Sequence, residues 1–359
     1  MRVVIRKKLS TVIFIFWIFF VCANHIHTGN ANLHLPVAIA GGLIFAWSII
    51  KNYSVCKKLL KPVVLFAIFA LIAVSLVRNV AFYYWGFILG HIGVSLGLAL
   101  TREENAINYK RWVVFMVLFY FAFYISNKTF DTMYNLASEN MVSIYLLLAF
   151  YLYYRSKNKT KFATVFLATT SLILGYLSGS RTGLGCLLIL CVGLIFIYFL
   201  KMRNGNAFLF LVVLTGVIGA LTIVFWGTSI IREVLYDSPR IYIWNLYTTQ
   251  LNSLKNILLG VPFSTHQAFA SYYNNLHNIF MNIHARFGLI PLITIVYIIY
   301  QCIKNGIKEK QWYIVLFTVL YVLRSLTDNT SFSGPLDILI FTIYFDTILE
   351  KQRFYYGGV

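Results

Sequence analysis

The stretch "SGSRTGLGCLLILCVGLIFIYFLKMRNGN", Ser178 to Asn206, decides what kind of chain this is. Residues 182–200 carry no charge, and a helix of about 20 such residues crosses the hydrocarbon core of a bilayer. Arg181 stands directly before the run, and Lys201 and Arg203 stand directly after it. The pattern repeats along all 359 residues: 60% are hydrophobic and 11% charged, and mean hydropathy is +0.76. A soluble domain carries about 25% charged residues. The expected fold is an all-α polytopic membrane protein, one transmembrane domain over 1–359. The first apolar run, Leu9 to Ala23, is not followed by a small-residue cleavage site and reads as a retained span.

Twelve spans are predicted, at 9–27, 34–50, 62–77, 80–100, 112–126, 141–154, 162–178, 182–200, 207–227, 278–300, 312–325 and 334–350. Lys and Arg mark cytoplasmic loops. With the N-terminus inside, the alternate segments "MRVVIRKK", "KNYSVCKKLLK", "TREENAINYKR", "RSKNKTK", "KMRNGN", "KNGIKEK" and "EKQR" hold 22 of the 30 basic residues. Both termini are then cytoplasmic. The net charge of +19 is a topology signal, its basic residues lying against anionic lipid headgroups rather than nucleic acid. The five cysteines show neither a disulfide framework nor metal-ligand spacing. Eight basic residues fall on the outward side: Arg78, Lys128, Arg181, Arg232, Arg240, Lys255, Arg286 and Arg324.

The one long loop, 228–277, faces outward and is rich in Tyr, Leu, Ile and Trp. "YDSPRIYIWNLYTTQLNS" has the marks of a helix start, with Ser238 as N-cap, Pro239 in the first helical position and Arg240 after it. Arg240, Trp244, Tyr247 and Leu251 recur on one face. Free N–H groups and a guanidinium together suit an anion. Arg240 can equally pair with Asp237 or extend to headgroups. Arg181, among Gly179, Gly183 and Gly185, is expected to face a cavity, with interfacial snorkelling as the alternative.

His277 stands at the outer end of the tenth span, where Asn274 or Asn275 is expected to cap the helix. A helix N-terminus and nearby arginines disfavour a protonated imidazole, which leaves His277 able to accept a proton. A purely structural histidine is the alternative. His284 lies two turns deeper on nearly the same face, and the pair lacks the further ligands of a metal site.

Three segments in this order resemble the O-antigen ligase and polysaccharide polymerase superfamily of bacterial membrane glycosyltransferases. "SGSRTGLGCLLI" (178–189) resembles its Ser-Arg-x-Gly segment, and "SPRIYIWNLYTTQLNSLKNILLGVPF" (238–263) its Arg-x-x-x-Trp helix with a Gly-containing turn. "LHNIFMNIHARFGLIP" (276–291) resembles its His-Asn-x-Phe segment. The turn reads Gly260-Val261-Pro262 where Gly-x-Gly is common.

The resemblance implies a C-type glycosyltransferase-like architecture in the bacterial cytoplasmic membrane, with an active site facing outward. Its donor would be an oligosaccharide on a polyprenyl diphosphate, used without cofactor or metal. Arg181, Arg240 and Arg286 would hold the diphosphate, and His277 would act on the acceptor hydroxyl. Arg324, Asp328, Trp244, Tyr273 and Asn278 are secondary candidates for substrate contact, with an Arg324–Asp328 surface pair as the plainer alternative for those two. The expected activity is that of a polymerase joining lipid-linked repeat units, served by a flippase and a chain-length regulator of the same pathway. A ligase moving the glycan to a lipid or wall acceptor is the near alternative. A flippase for the lipid-linked saccharide is the alternative of another class, and a passive scaffold is a third.

Overall fold

The computed structural model describes residues 34–80, 82–103, 105–130, 140–155, 161–200, 239–261, 263, 269, 276–327 and 335–355. These are helical, with no strand among the described residues. In chain order the helices are α1 (His34–Lys51), α2 (Tyr53–Leu59), α3 (Pro62–Val77), α4 (Phe82–Leu100), α5 (Ala106–Asn127), α6 (Asn140–Tyr154) and α7 (Lys161–Leu177). They continue as α8 (Arg181–Leu200), α9 (Pro239–Thr249), α10 (Leu254–Leu259), α11 (Ile279–Phe287), α12 (Leu289–Lys308), α13 (Trp312–Thr327) and α14 (Pro335–Tyr355). The expected spans at 9–27 and 207–227 lie outside the described residues.

Two helices, α5 and α12, are each long and apolar enough to cross a membrane. A third span results if α1 and α2, bent by 115° at Asn52, count as one broken crossing. The other apolar helices are shorter over their described residues. Exposure on α12 follows the helical period: Ile290, Ile293, Val296, Tyr300 and Ile307 face out, while Thr294, Ile295, Ile298 and Cys302 are buried. On α5, Val114, Phe115, Leu118 and Phe119 face out. A helix apolar on its packed and open faces alike suits a lipid surround rather than water.

Where the sequence interrupts an apolar run, the helices break. Asn79 (φ +53°) turns the chain between α3 and α4, at the predicted division. The segment 278–300, expected as one span, is instead two helices divided at Gly288 (φ +80°). A Cβ on Gly288 would overlap the Leu258 carbonyl, so the α10 turn presses directly on this break. The basic stretch after α1, expected as a loop, contains the short helix α2 with Cys56 and Leu59 buried. Close crossing of α1 and α4 is likewise set by glycine: side chains at Gly41 or Gly93 would run into the opposing backbone.

The centre is formed by α4, α6 and α14, which are buried over nearly their whole described length. These helices also carry ionic groups. His91 Nδ1 and Asp337 Oδ2 meet at 2.8 Å, both side chains fully buried. Arg155, assigned from sequence to a headgroup-facing cluster, is only 2% exposed. Its guanidinium lies 3.0 Å from Asp346 and donates to the Leu98 carbonyl. Arg102 pairs with Glu350 and donates to the Arg155 carbonyl at 2.7 Å. A charge at the end of an apolar run was thus drawn inward by a carboxylate on a helix distant in sequence.

The bundle has two ends of different character. The tight turn at 309–311 makes α12 and α13 a hairpin, so Leu289 and Thr327 share one end. Arg324, close to Thr327, bonds Thr182 and brings the start of α8 there. Arg78 bonds Gly260 and brings the end of α3 there too. Tyr313, at the hairpin turn, stacks with Tyr151, which places the Arg155–Asp346 and Arg102–Glu350 pairs at the opposite end.

Candidate active site

At the arginine end, α9, the α10 turn and the start of α11 fold together over a small core of Ile243, Tyr247, Val261, Phe269, Leu276 and Ala285. Helix α9 is described from Pro239, with Arg240 next along it, and the expected N-cap Ser238 lies outside the described residues. One turn on, the Trp244 indole N–H donates to the Leu276 carbonyl at 2.7 Å. This candidate substrate contact therefore spends its only donor fastening α9 to the residue before His277. Helix α10 is capped by Ser253, whose Oγ accepts the Asn256 N–H at 3.2 Å, and it closes at Gly260 (φ +84°). A Cβ on Gly260 would meet the Ala285 carbonyl oxygen at 2.5 Å, so a single glycine seats this turn against α11.

The cap of α11 is Asn278, whose Oδ1 accepts the Met281 N–H at 3.2 Å. Asn274 and Asn275, expected in that role, lie outside the described residues and upstream of the observed start. Asn278 is 8% exposed, and its side-chain oxygen serves the helix cap. His277 directly precedes this cap and takes a left-handed conformation, φ +50°. Few non-glycine residues do so, and such strain persists where surrounding bonds enforce it. Here the Leu276 N–H is held by Asn282 Oδ1 at 3.1 Å while its carbonyl is held by Trp244. The backbone entering His277 is fixed from both sides, and its side chain is half-buried.

His284 differs in kind. It is 6% exposed, and Nε2 donates to the Ile257 carbonyl at 2.7 Å. Nδ1 meets the Tyr247 hydroxyl. Burial pushes the Tyr247 phenol above its ordinary pKa, which keeps the hydroxyl as O–H. With both ring nitrogens engaged, His284 is a strut joining α9, α10 and α11. His284→Ala is expected to cost about 1–3 kcal/mol through the unpaired Tyr247 and Ile257 groups. Thermal unfolding of the detergent-solubilised protein measures it.

The remaining arginines separate into distinct settings. Arg181 opens α8 and is exposed; Ser180 caps that helix by accepting the Gly183 N–H at 3.1 Å. Arg324 is fully buried and donates to Thr182 Oγ1 at 2.7 Å. It is therefore not a surface charge, because it sits on the face of α13 packed against α8. Arg286 is half-buried, its guanidinium 5.4 Å from the centre of the Phe263 ring. Asp328 and Tyr273 lie outside the described residues.

Arg240, Trp244, His277, Asn278 and Arg286 thus belong to elements of one packed unit. The Arg181 turn is a neighbour across α13, which packs against both α8 and α11. Sequence reasoning overlooked the Tyr247–His284 strut and the Arg78 bond to the Gly260 carbonyl at 2.5 Å. A lone arginine dividing two apolar helices was the available signal for the second. No protein-family model matches this chain, and no curated protein matches it.

Proposed function

We propose that this chain is a membrane polysaccharide polymerase, transferring a glycan from a polyprenyl diphosphate carrier to a hydroxyl of another lipid-linked repeat unit. In this reading twelve spans lie in a bacterial cytoplasmic membrane, with both termini inside and the arginine end facing out. The observation that supports it most is the packing of the Arg240 helix, the Gly260 turn and the strained His277 segment into one unit. These are two of the three segments that resemble the glycosyltransferase superfamily, and the third, at Arg181, flanks the same helix α13.

The chemistry requires an acceptor oxygen to attack the anomeric carbon as the bond to the diphosphate breaks. The electron pair leaves with polyprenyl diphosphate, and the hydroxyl proton passes to the imidazole of His277. A single displacement inverts the anomeric centre. Arg181, Arg240 and Arg286 offset charge growing on the departing oxygens, which is where preorganised donors contribute most to rate. Arg181→Ala and Arg240→Ala are each expected to lower the transfer rate about 10²–10³-fold, the scale of a lost oxyanion donor.

Purified protein mixed with synthetic lipid-linked repeat units tests the reading. Laddered products support polymerase action, a single transfer to a different acceptor would assign a ligase, and no transfer overturns the enzyme reading. One observation favours a second class: His91 and Asp337 meet in a buried hydrogen-bonded contact between α4 and α14, and ionisable residues inside membrane bundles mark transport pathways. Movement of labelled lipid-linked saccharide across proteoliposome membranes, without transfer, would assign a flippase.

A further inference from the structure

We propose that Arg78 is a positioning residue that docks the His277-bearing unit onto the helical bundle. It stands at the end of α3, 182 residues from the carbonyl it binds. Its Nη2 donates to the Gly260 oxygen at 2.5 Å. Partial burial lowers its pKa from the ordinary guanidinium value.

What makes this bond consequential is where Gly260 sits. The peptide lies flat on the last turn of α11, since any side chain there would collide with the His284 and Ala285 carbonyls. Three residues earlier, the Ile257 carbonyl receives the His284 Nε2–H, and His284 Nδ1 meets Tyr247 of α9. Helix α9 then holds Leu276 through Trp244. Arg78 is therefore the first link in a series of hydrogen bonds, joined by the backbones of the α10 turn and of α9, that runs by way of Gly260, Ile257, His284, Tyr247 and Trp244 to the residue before His277. A charged donor at the origin of that chain sets the height and tilt of the unit above the bundle, where a shift of about 1 Å can cost 10²-fold in rate. This inference deepens the transferase reading and rests on it for its kinetic readout alone.

The test uses the full chain in lipid nanodiscs with Arg78→Gln and Arg78→Lys. Amide hydrogen exchange reports docking whether or not the protein is an enzyme. Loss of a charged hydrogen bond of about 1.5–3 kcal/mol predicts roughly ten- to a hundredfold faster exchange in 254–260 and 276–287 for Arg78→Gln. Exchange at the α12–α13 turn should stay unchanged. Lysine keeps a charged donor, so about two- to fivefold faster exchange is expected in 254–260 and 276–287 for Arg78→Lys, and this variant decides the matter should the glutamine protein not fold. In the transfer assay kcat should fall about tenfold or more for glutamine with KM nearly constant, and lysine should recover most of it. Wild-type exchange across 254–287 in the variants overturns the docking role. Faster exchange with unchanged kcat in an active enzyme overturns the positioning role, and a wild-type protein with no transfer refutes the transferase reading while exchange still judges the docking.

Discussion

His277→Asn is expected to lower the rate of glycan transfer about 10²–10⁴-fold, the range attributed to a positioned general base, while leaving KM and thermal stability nearly unchanged. Asparagine is the informative replacement. His277 holds φ +50°, and asparagine tolerates that left-handed backbone far better than alanine, whose Cβ costs about 1–2 kcal/mol there. A drop with asparagine therefore reports the missing imidazole rather than a collapsed turn. The bonds that fix the preceding residue, Leu276, are made to its backbone by Trp244 and Asn282, so they do not depend on the side chain at 277. The measurement is a rate series with synthetic lipid-linked repeat units, alongside donor binding by the same variant. Unimpaired transfer by His277→Asn would remove the histidine from the chemistry and leave the arginines to act alone.

This expectation contrasts with that for His284, and the difference was hidden in the sequence. Both histidines begin an apolar segment and share nearly one helical face. Only the fold reveals that His284 is enclosed by Tyr247 and the Ile257 carbonyl, whereas His277 lies outside the helix altogether. Local chemistry was legible: Arg78 and Asn79 divide α3 from α4, and the limits of those two helices follow the apolar runs closely. Caps were less so, because Asn274, Asn275 and Asn278 have the same capping chemistry. The break at Gly288 depends on the α10 turn pressing from outside, a contact between segments thirty residues apart that periodicity cannot register.

Basic residues were the most misleading class. A count of Lys and Arg by loop treats each as a surface charge, and for Lys51, Lys57 and Lys58 exposure agrees. Arg155 and Arg324 obey the same sequence pattern and are buried. Their partners come from α14 and α8, elements that alternate counting cannot pair with them. What distinguishes the two cases is a complementary group already facing inward on a packed helix, Asp346 for Arg155 and Thr182 for Arg324.

Removing one side of that first pair is expected to be costly. Asp346→Ala should destabilise the protein by about 3–5 kcal/mol, the penalty for stranding a buried charge. Both side chains of the pair are fully buried, the carboxylate lies 3.0 Å from the guanidinium, and Tyr151 donates to the same oxygen at 2.6 Å. Loss of the carboxylate leaves Arg155 with the Leu98 carbonyl and the faces of Tyr109 and Tyr151, which stabilise a cation only in part. Replacing both residues, as Arg155→Met with Asp346→Leu, removes the charge and the need for it together, and should cost much less than Asp346→Ala alone. Thermal or denaturant unfolding of Arg155→Met, Asp346→Leu and the double variant in detergent closes the cycle, with Asp346→Ala measured beside them. Strong non-additivity is the expected result, since the carboxylate is worth most while the guanidinium is present. Additive losses below about 1 kcal/mol each, the level of a surface pair, would mean that water reaches these charges and that α6 and α14 are not sealed together at this end of the bundle.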